Sequence, residues 1–155
     1  MIQFTVEQAG WLFERPDIEA AVIPAVSQGT ELVFNHARGL LAMHRGPGRR
    51  GHAVEALAKS TYRSAGVGIT GRVFGKGAAA FKLIFLEHGT VGHFISPRRR
   101  QGALAFSPPG GTLLFRPYVH HPGAPAQHWS TQTQRDTSAS VVGLIEDAIR
   151  RVTEQ

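Results

Sequence analysis

Phe85-Leu86-Glu87-His88-Gly89-Thr90, His93-Phe94-Ile95-Ser96-Pro97-Arg98-Arg99-Arg100, Ala103-Leu104-Ala105-Phe106 and Val119-His120-His121-Pro122-Gly123-Ala124-Pro125-Ala126-Gln127-His128-Trp129 succeed one another within residues 85–129. Their rhythm sets the expected fold. Short apolar alternations broken by Gly and Pro are the pattern of strands joined by turns. Residues 103–106 and 112–119 read as a hairpin turned by Pro108-Pro109-Gly110-Gly111. Upstream, Val67, Ile69 and Val73 alternate, as do Phe81, Leu83 and Phe85, and Gly75-Lys76-Gly77 between them predicts another hairpin. Gly89 is expected to end its strand in a tight turn at positive φ, with Thr90 and His93 bonding the loop backbone.

Outward from this segment the patterning turns helical. Pro16 and Asp17 open a helix, since Pro suits the first turn and Asp17 and Glu19 set negative charge at its positive end. Ile18, Val22, Val26, Gly29, Val33, His36 and Leu40 recur at helical spacing to about Met43. Pro24 removes one donor and predicts a kink or break near Val22. Residues 1–11 alternate weakly, as a short strand would. Val54, Leu57, Ala58 and Tyr62 are spaced for a short amphipathic helix over 53–63. At the other end Val141, Ile145, Ala148, Ile149 and Val152 share one helix face, with Glu146, Asp147, Arg150 and Arg151 opposite. Asp136, Thr137 and Ser138 are its N-cap candidates, after an extended loop over 120–135. The expected architecture is α+β in a single domain, 1–155. A kinked N-terminal helix and a C-terminal helix pack on a curved antiparallel sheet of four or five strands built from hairpins. Residues 45–51, 107–111 and 120–135 are expected loops.

The 155 residues suffice for one core, and 42% apolar with 18% charged residues fits an ordered chain. Cysteine is absent, which excludes disulfides and thiolate metal sites. No basic flank precedes an apolar run at the N-terminus, so no signal peptide is expected, and no apolar stretch approaches the roughly 20 residues of a membrane span. The net charge of +6 is uneven: between Glu87 and Asp136 there is no carboxylate, while Arg98, Arg99, Arg100, Arg116, Arg135 and five histidines lie there. Arg45, Arg49, Arg50 and His52 form a second basic cluster. Such patches attract polyanions and acidic protein faces alike.

Catalytic and metal patterns are weak. His88, His93, His120, His121 and His128 have only Glu87 as a nearby carboxylate and no helical pair spacing, so backbone bracing is preferred to metal ligation. No Gly-x-Ser-x-Gly elbow and no paired carboxylates accompany them. Gly66-Val67-Gly68-Ile69-Thr70-Gly71 falls within a strand pattern and lacks the Lys-Ser/Thr of a phosphate loop. The expectation is a protein without enzymatic activity or cofactor. For Arg98-Arg99-Arg100 a contact with carboxylates of a protein neighbour is preferred to a DNA-backbone contact, with a solvated loop as the bland alternative. Trp129 either caps the core or anchors a neighbouring subunit.

The order of Glu87-His88-Gly89-Thr90, Ile95-x-Pro97-Arg98, Ala103-Leu104-x-Phe106 and His121-Pro122-Gly123 resembles that of the tail-component or tail-completion proteins at the neck of long-tailed bacteriophages. The likeness covers about a third of the chain. It departs where Lys82-Leu83 stands for a Tyr-Ala and Trp129 for a Phe. It implies a virion part assembled in the host cytoplasm: a homo-oligomeric ring, six-fold with twelve-fold as the alternative, between a connector or stopper and the tail terminator or tail tube. Under it Arg98, Arg99, Arg100, Trp129, Glu146 and Asp147 become inter-subunit or inter-ring contacts, and Glu87, Gly89, Thr90, His93, Pro122 and Gly123 a structural turn. DNA in the channel is a possible non-specific contact, and no membrane is involved. Competing readings are a tail terminator ring, a stand-alone basic nucleic-acid-binding domain and a metal-dependent hydrolase.

Overall fold

The computed structural model describes residues 1–7, 15–43, 53–64, 68–98, 102–107 and 110–154. Strand β1 (Ile2–Glu7) is followed by helix α1 (Pro16–Met43). Ile18, Val22, Val26, Gly29, Val33, Ala37 and Leu41 recur in steps of three and four along α1 and are all buried, so one stripe faces inward. Helix α1 runs unbroken through Pro24, which sits on the exposed side.

Strands β2 (Leu57–Ser64) and β3 (Gly68–Gly75) follow a single 3-10 turn at Ala53–Ala56. The amphipathic helix expected over 53–63 is therefore corrected: only that turn is helical. Strand pairing overrides local periodicity here, because β2 is matched to β3 residue for residue from Leu57↔Gly75 to Ser64↔Gly68. Side chains reinforce it, with Lys59 of β2 bridging Glu31 of α1, and Arg63 bridging Glu19 at 2.9 Å. The sheet order is β1-β3-β2, all antiparallel.

After the turn at Lys76 and Gly77 the chain forms helix α2 (Phe81–His88), not the strand expected from Phe81, Leu83 and Phe85. The run Phe81-Lys82-Leu83-Ile84-Phe85-Leu86 is apolar at both period two and period 3.6, so spacing alone could not decide. The preceding alanines 78–80 and two leucines favour the helix. Four three-residue strands follow: β4 (His93–Ile95), β5 (Leu104–Phe106), β6 (Leu114–Arg116) and β7 (Val119–His121). The expected hairpin around residues 107–111 is present as β5–β6, although its Pro108 and Pro109 lie outside the described residues. Strands β4 and β7 form a separate pair.

The described strands thus fall into one three-stranded and two two-stranded sheets, not a single sheet of four or five. The cause is α2, which stands between β3 and the later strands in the chain and breaks the succession of hairpins. Mixed helix and antiparallel sheet, α+β, is the class.

Helix α3 (Trp129–Thr153) closes the chain and begins well before the expected caps at Asp136, Thr137 and Ser138. The most extensive contact in the molecule is α1 against α3. Val33, Ala37 and Leu41 of α1 join Ile2, Val73, Leu83, Trp129 and Val141 in one apolar cluster. Ile18, Val22 and Val26 join Ile69 of β3 in a second, flanked by Ile145, Ile149 and Val152 of α3. Both helices therefore cover one face of the three-stranded sheet. Thr30, Thr133 and Thr137 are buried at these contacts, and each hydroxyl donates to the carbonyl four residues back, at 2.7 Å. Buried polar groups satisfied this way let the helices meet without losing a hydrogen bond.

Candidate functional site: a clasp at the root of an exposed arm

Gly89 ends α2 at φ 71°, ψ −171°, a conformation open essentially to glycine alone. Its N–H donates to the Phe85 carbonyl at 2.8 Å. The next residue meets a returning strand: Thr90 N–H donates to Ala124 O at 2.9 Å and Ala124 N–H donates to Thr90 O at 3.0 Å. A side chain on Gly89 would place its Cβ 2.5 Å from Ala124 O and 2.7 Å from Ala126 N. A side chain on Gly123, at φ 91°, would likewise collide with Thr90 O on the other side of the crossing. Two glycines let two backbones touch. The tight positive-φ geometry expected at Gly89 is there, but it terminates a helix, and the strand-end reading is corrected.

Just inside this crossing, the C-terminus of α2 is bonded to the N-terminus of α3. His128 precedes α3 in the left-handed region at φ 50° and gives no side-chain cap. The cap comes instead from Glu87, 43 residues earlier: its carboxylate accepts from Ser130 N–H at 2.7 Å and from Thr131 Oγ1–H at 2.8 Å. A buried carboxylate at a helix N-terminus satisfies orphan donors and meets the positive end of the dipole. Burial by itself pushes the Glu87 carboxyl up, but the hydrogen bonds from Ser130 and Thr131 outweigh it and hold it below the ordinary carboxylate value. Gln127 N–H donates to Leu86 O at 2.8 Å, and Trp129 Nε1–H donates to Leu83 O at 2.9 Å. Trp129 is 4% exposed, inside the core of its own chain, and has little surface to offer a neighbour.

Beyond the clasp, residues 91–123 form an arm. The bridge Thr90↔Ala124 and the pairs His93↔His121, Phe94↔His120 and Ile95↔Val119 share one register, so the arm is an extended hairpin with β5–β6 toward its tip. His93 stacks on His121 with ring centres 5.2 Å apart. Phe94 meets His120 and Tyr118 edge to face at 5.1 and 5.7 Å. Gly123 N–H donates to His121 Nδ1 at 3.0 Å, with exposed Pro122 between them, and His93 Nδ1 lies 3.0 Å from Val91 O. None of the described residues from 91 to 123 is buried. Phe94, Phe115 and Tyr118 are 66%, 60% and 60% exposed.

Of the residues singled out by sequence, Glu87, Gly89, Thr90, Pro122, Gly123 and Trp129 come together at the clasp, with His93 next to it. Arg98 is exposed on the arm; Arg99 and Arg100 lie outside the described residues, as does the expected loop 45–51. Glu146 and Asp147 are exposed on α3, about 26 Å along the helix from Trp129. Neither carries an ion pair among the described residues. Sequence reading missed Ala124, Ser130 and Thr131 as partners, because backbone and cap contacts leave no periodic trace. It also missed the outer stripe of α2: Phe81 and Phe85 read as strand residues with Leu83, and Ile84 is not singled out. Compared with known proteins, the chain matches no family model, no curated protein and no solved structure.

Proposed function

We propose that this chain is a structural subunit of the neck of a long-tailed bacteriophage, joining or completing the tail at the head–tail interface as a ring, six-fold by preference and twelve-fold as the alternative. The arm carries this reading. The motifs resembling tail-completion proteins lie in the arm and its clasp, and the arm exposes aromatic side chains while none of its described residues is buried. A segment held in place only to be uncovered suits an assembly part. In this reading Arg98, with Arg99 and Arg100, meets carboxylates of the next copy, Glu146 and Asp147 being the candidates, and adjacent rings of connector, terminator or tube take the other faces. A bend of α1 at Pro24 belongs to the same reading, since that residue leaves the Ala20 carbonyl without its helical donor.

The test is disruption of the gene in its phage, followed by cryo-electron microscopy of the particles. Filled heads separate from finished tails, and ring density fitted by this fold in the wild type, support the assignment. Normal joined virions from the disrupted phage refute it. The carboxylate-free stretch from 88 to 135 also suits a stand-alone nucleic-acid binder. Oligonucleotide binding that falls steeply with salt, with no assembly partner, favours that alternative.

A further inference from the structure

We infer that the arm of one copy docks onto the outer face of α2 of a second copy. Two uncovered apolar surfaces lie on the same chain. One is the arm, where Phe94, Phe115 and Tyr118 stand in solvent on strands of three residues. An isolated two-stranded ribbon is marginal in water, so a covering surface is expected. The other is α2. Its inner side buries Leu83, while Phe81, Ile84 and Phe85 on the outer side are 45%, 59% and 49% exposed. A helix apolar on both sides belongs in an interior. Beside that outer stripe opens a cleft of about 450 Å³, with Trp129, Leu83 and Ala80 among its walls.

Charge selects between the ways two copies could meet. Arm on arm would set Arg98 and Arg116 against their own kind, with no carboxylate anywhere between residues 88 and 135 to offset them. The stripe Phe81, Ile84 and Phe85 carries no charge itself, and the cleft beside it is walled also by His88 and by the carboxylate of Glu87, which the arginines of the arm do not oppose. Arm and stripe are therefore donor and receiver on every copy, and one kind of contact covers both.

The experiment uses the full chain and two variants, Phe115→Glu in the arm and Ile84→Glu on α2, both at exposed positions. Circular dichroism melts check that each folds as wild type does. Sedimentation over a range of concentrations then reads assembly. The expected result is self-association of wild type, at least a tenfold weaker association for each variant alone, and mixed pairs on combining them, since the Ile84→Glu arm still finds an intact α2 on the Phe115→Glu copy. A wild type that is monomeric throughout, variants that associate like wild type, or the absence of mixed pairs overturns the inference; the arm's partner is then an unlike protein. Docking needs no virion. A two-copy assembly keeps the inference and counts against the neck ring, whereas an intact ring built from either variant does the reverse.

Discussion

At Gly89 a change of one atom group decides whether the clasp closes. Any side chain there meets Ala124 O and Ala126 N at 2.5 and 2.7 Å while the backbone stays at φ 71°. The cost of a side chain in this glycine-only backbone region alone is about 1–3 kcal/mol, and the contacts are with backbone atoms that cannot rotate away. Gly89→Val is therefore expected to lower stability by more than about 2 kcal/mol, read as a fall in the chemical-denaturation midpoint; an unchanged midpoint would show that the crossing is looser than described. Glu87 is the second such residue. Replacing it with Ala removes the cap of α3 and is expected to cost about 1–2 kcal/mol. Because its folded-state carboxyl lies below the ordinary value, its contribution is present above the unfolded value of about 4.3 and is lost as pH falls through the folded one. The stability difference between wild type and Glu87→Gln should hold steady near neutrality and shrink below about pH 4. A difference independent of pH would mean the charge is not what Ser130 and Thr131 recognise. Gly89 was legible as a turn residue because glycine accepts a positive φ, whichever element it ends. The sequence could not display the role of Glu87, whose partners lie 43 and 44 residues away.

Among the elements, the long helices were legible and the short pieces were not. Helix α1 shows nine buried positions in steps that a helix requires, and its first turn carries Asp17 and Glu19. The segments at 53–63 and 81–88 are short enough for period two and period 3.6 to coincide, and what decided them was pairing with β3 for one and the helix-favouring alanines and leucines for the other. The start of α3 was misplaced because its cap is supplied through space. The arm is an element in its own right, with a test to match. Since Thr90 and Ala124 are already hydrogen-bonded neighbours, residues 91–123 can be replaced by a short Gly-containing turn. The shortened chain is expected to fold and melt cooperatively at no lower temperature than wild type while losing assembly. Aggregation or loss of helical signal would show that the arm contributes to the body after all.

For the molecule as a whole, the uneven charge predicts which face works. Reversing Arg98 and Arg116 to Glu should leave the melting curve within about 0.5 kcal/mol of wild type, as exposed charges contribute little each. If the chain is the neck subunit proposed above, joining of heads to tails, counted by electron microscopy of complemented lysates, should fall. Unimpaired joining would remove the arginine face from the assembly. The basic, carboxylate-free stretch was visible in the sequence from the start, but that it forms a projecting limb on an α+β body was not. Nothing in a linear pattern states that residues 90 and 124 touch.

That contact has a thermodynamic consequence. Glu87 cannot reach Ser130, nor Leu83 reach Trp129, until the whole arm has been looped out, so the clasp closes a loop of 43 to 46 residues where about ten would do. Closure entropy grows by about 0.6 kcal/mol for each doubling of loop length, which makes the detour cost the body about 1.2 kcal/mol. None of the arm's described residues is buried to offset it. An isolated subunit would be more stable, and would close its core sooner, without it. In the assembly proposed above, a contact between molecules is what offsets that cost.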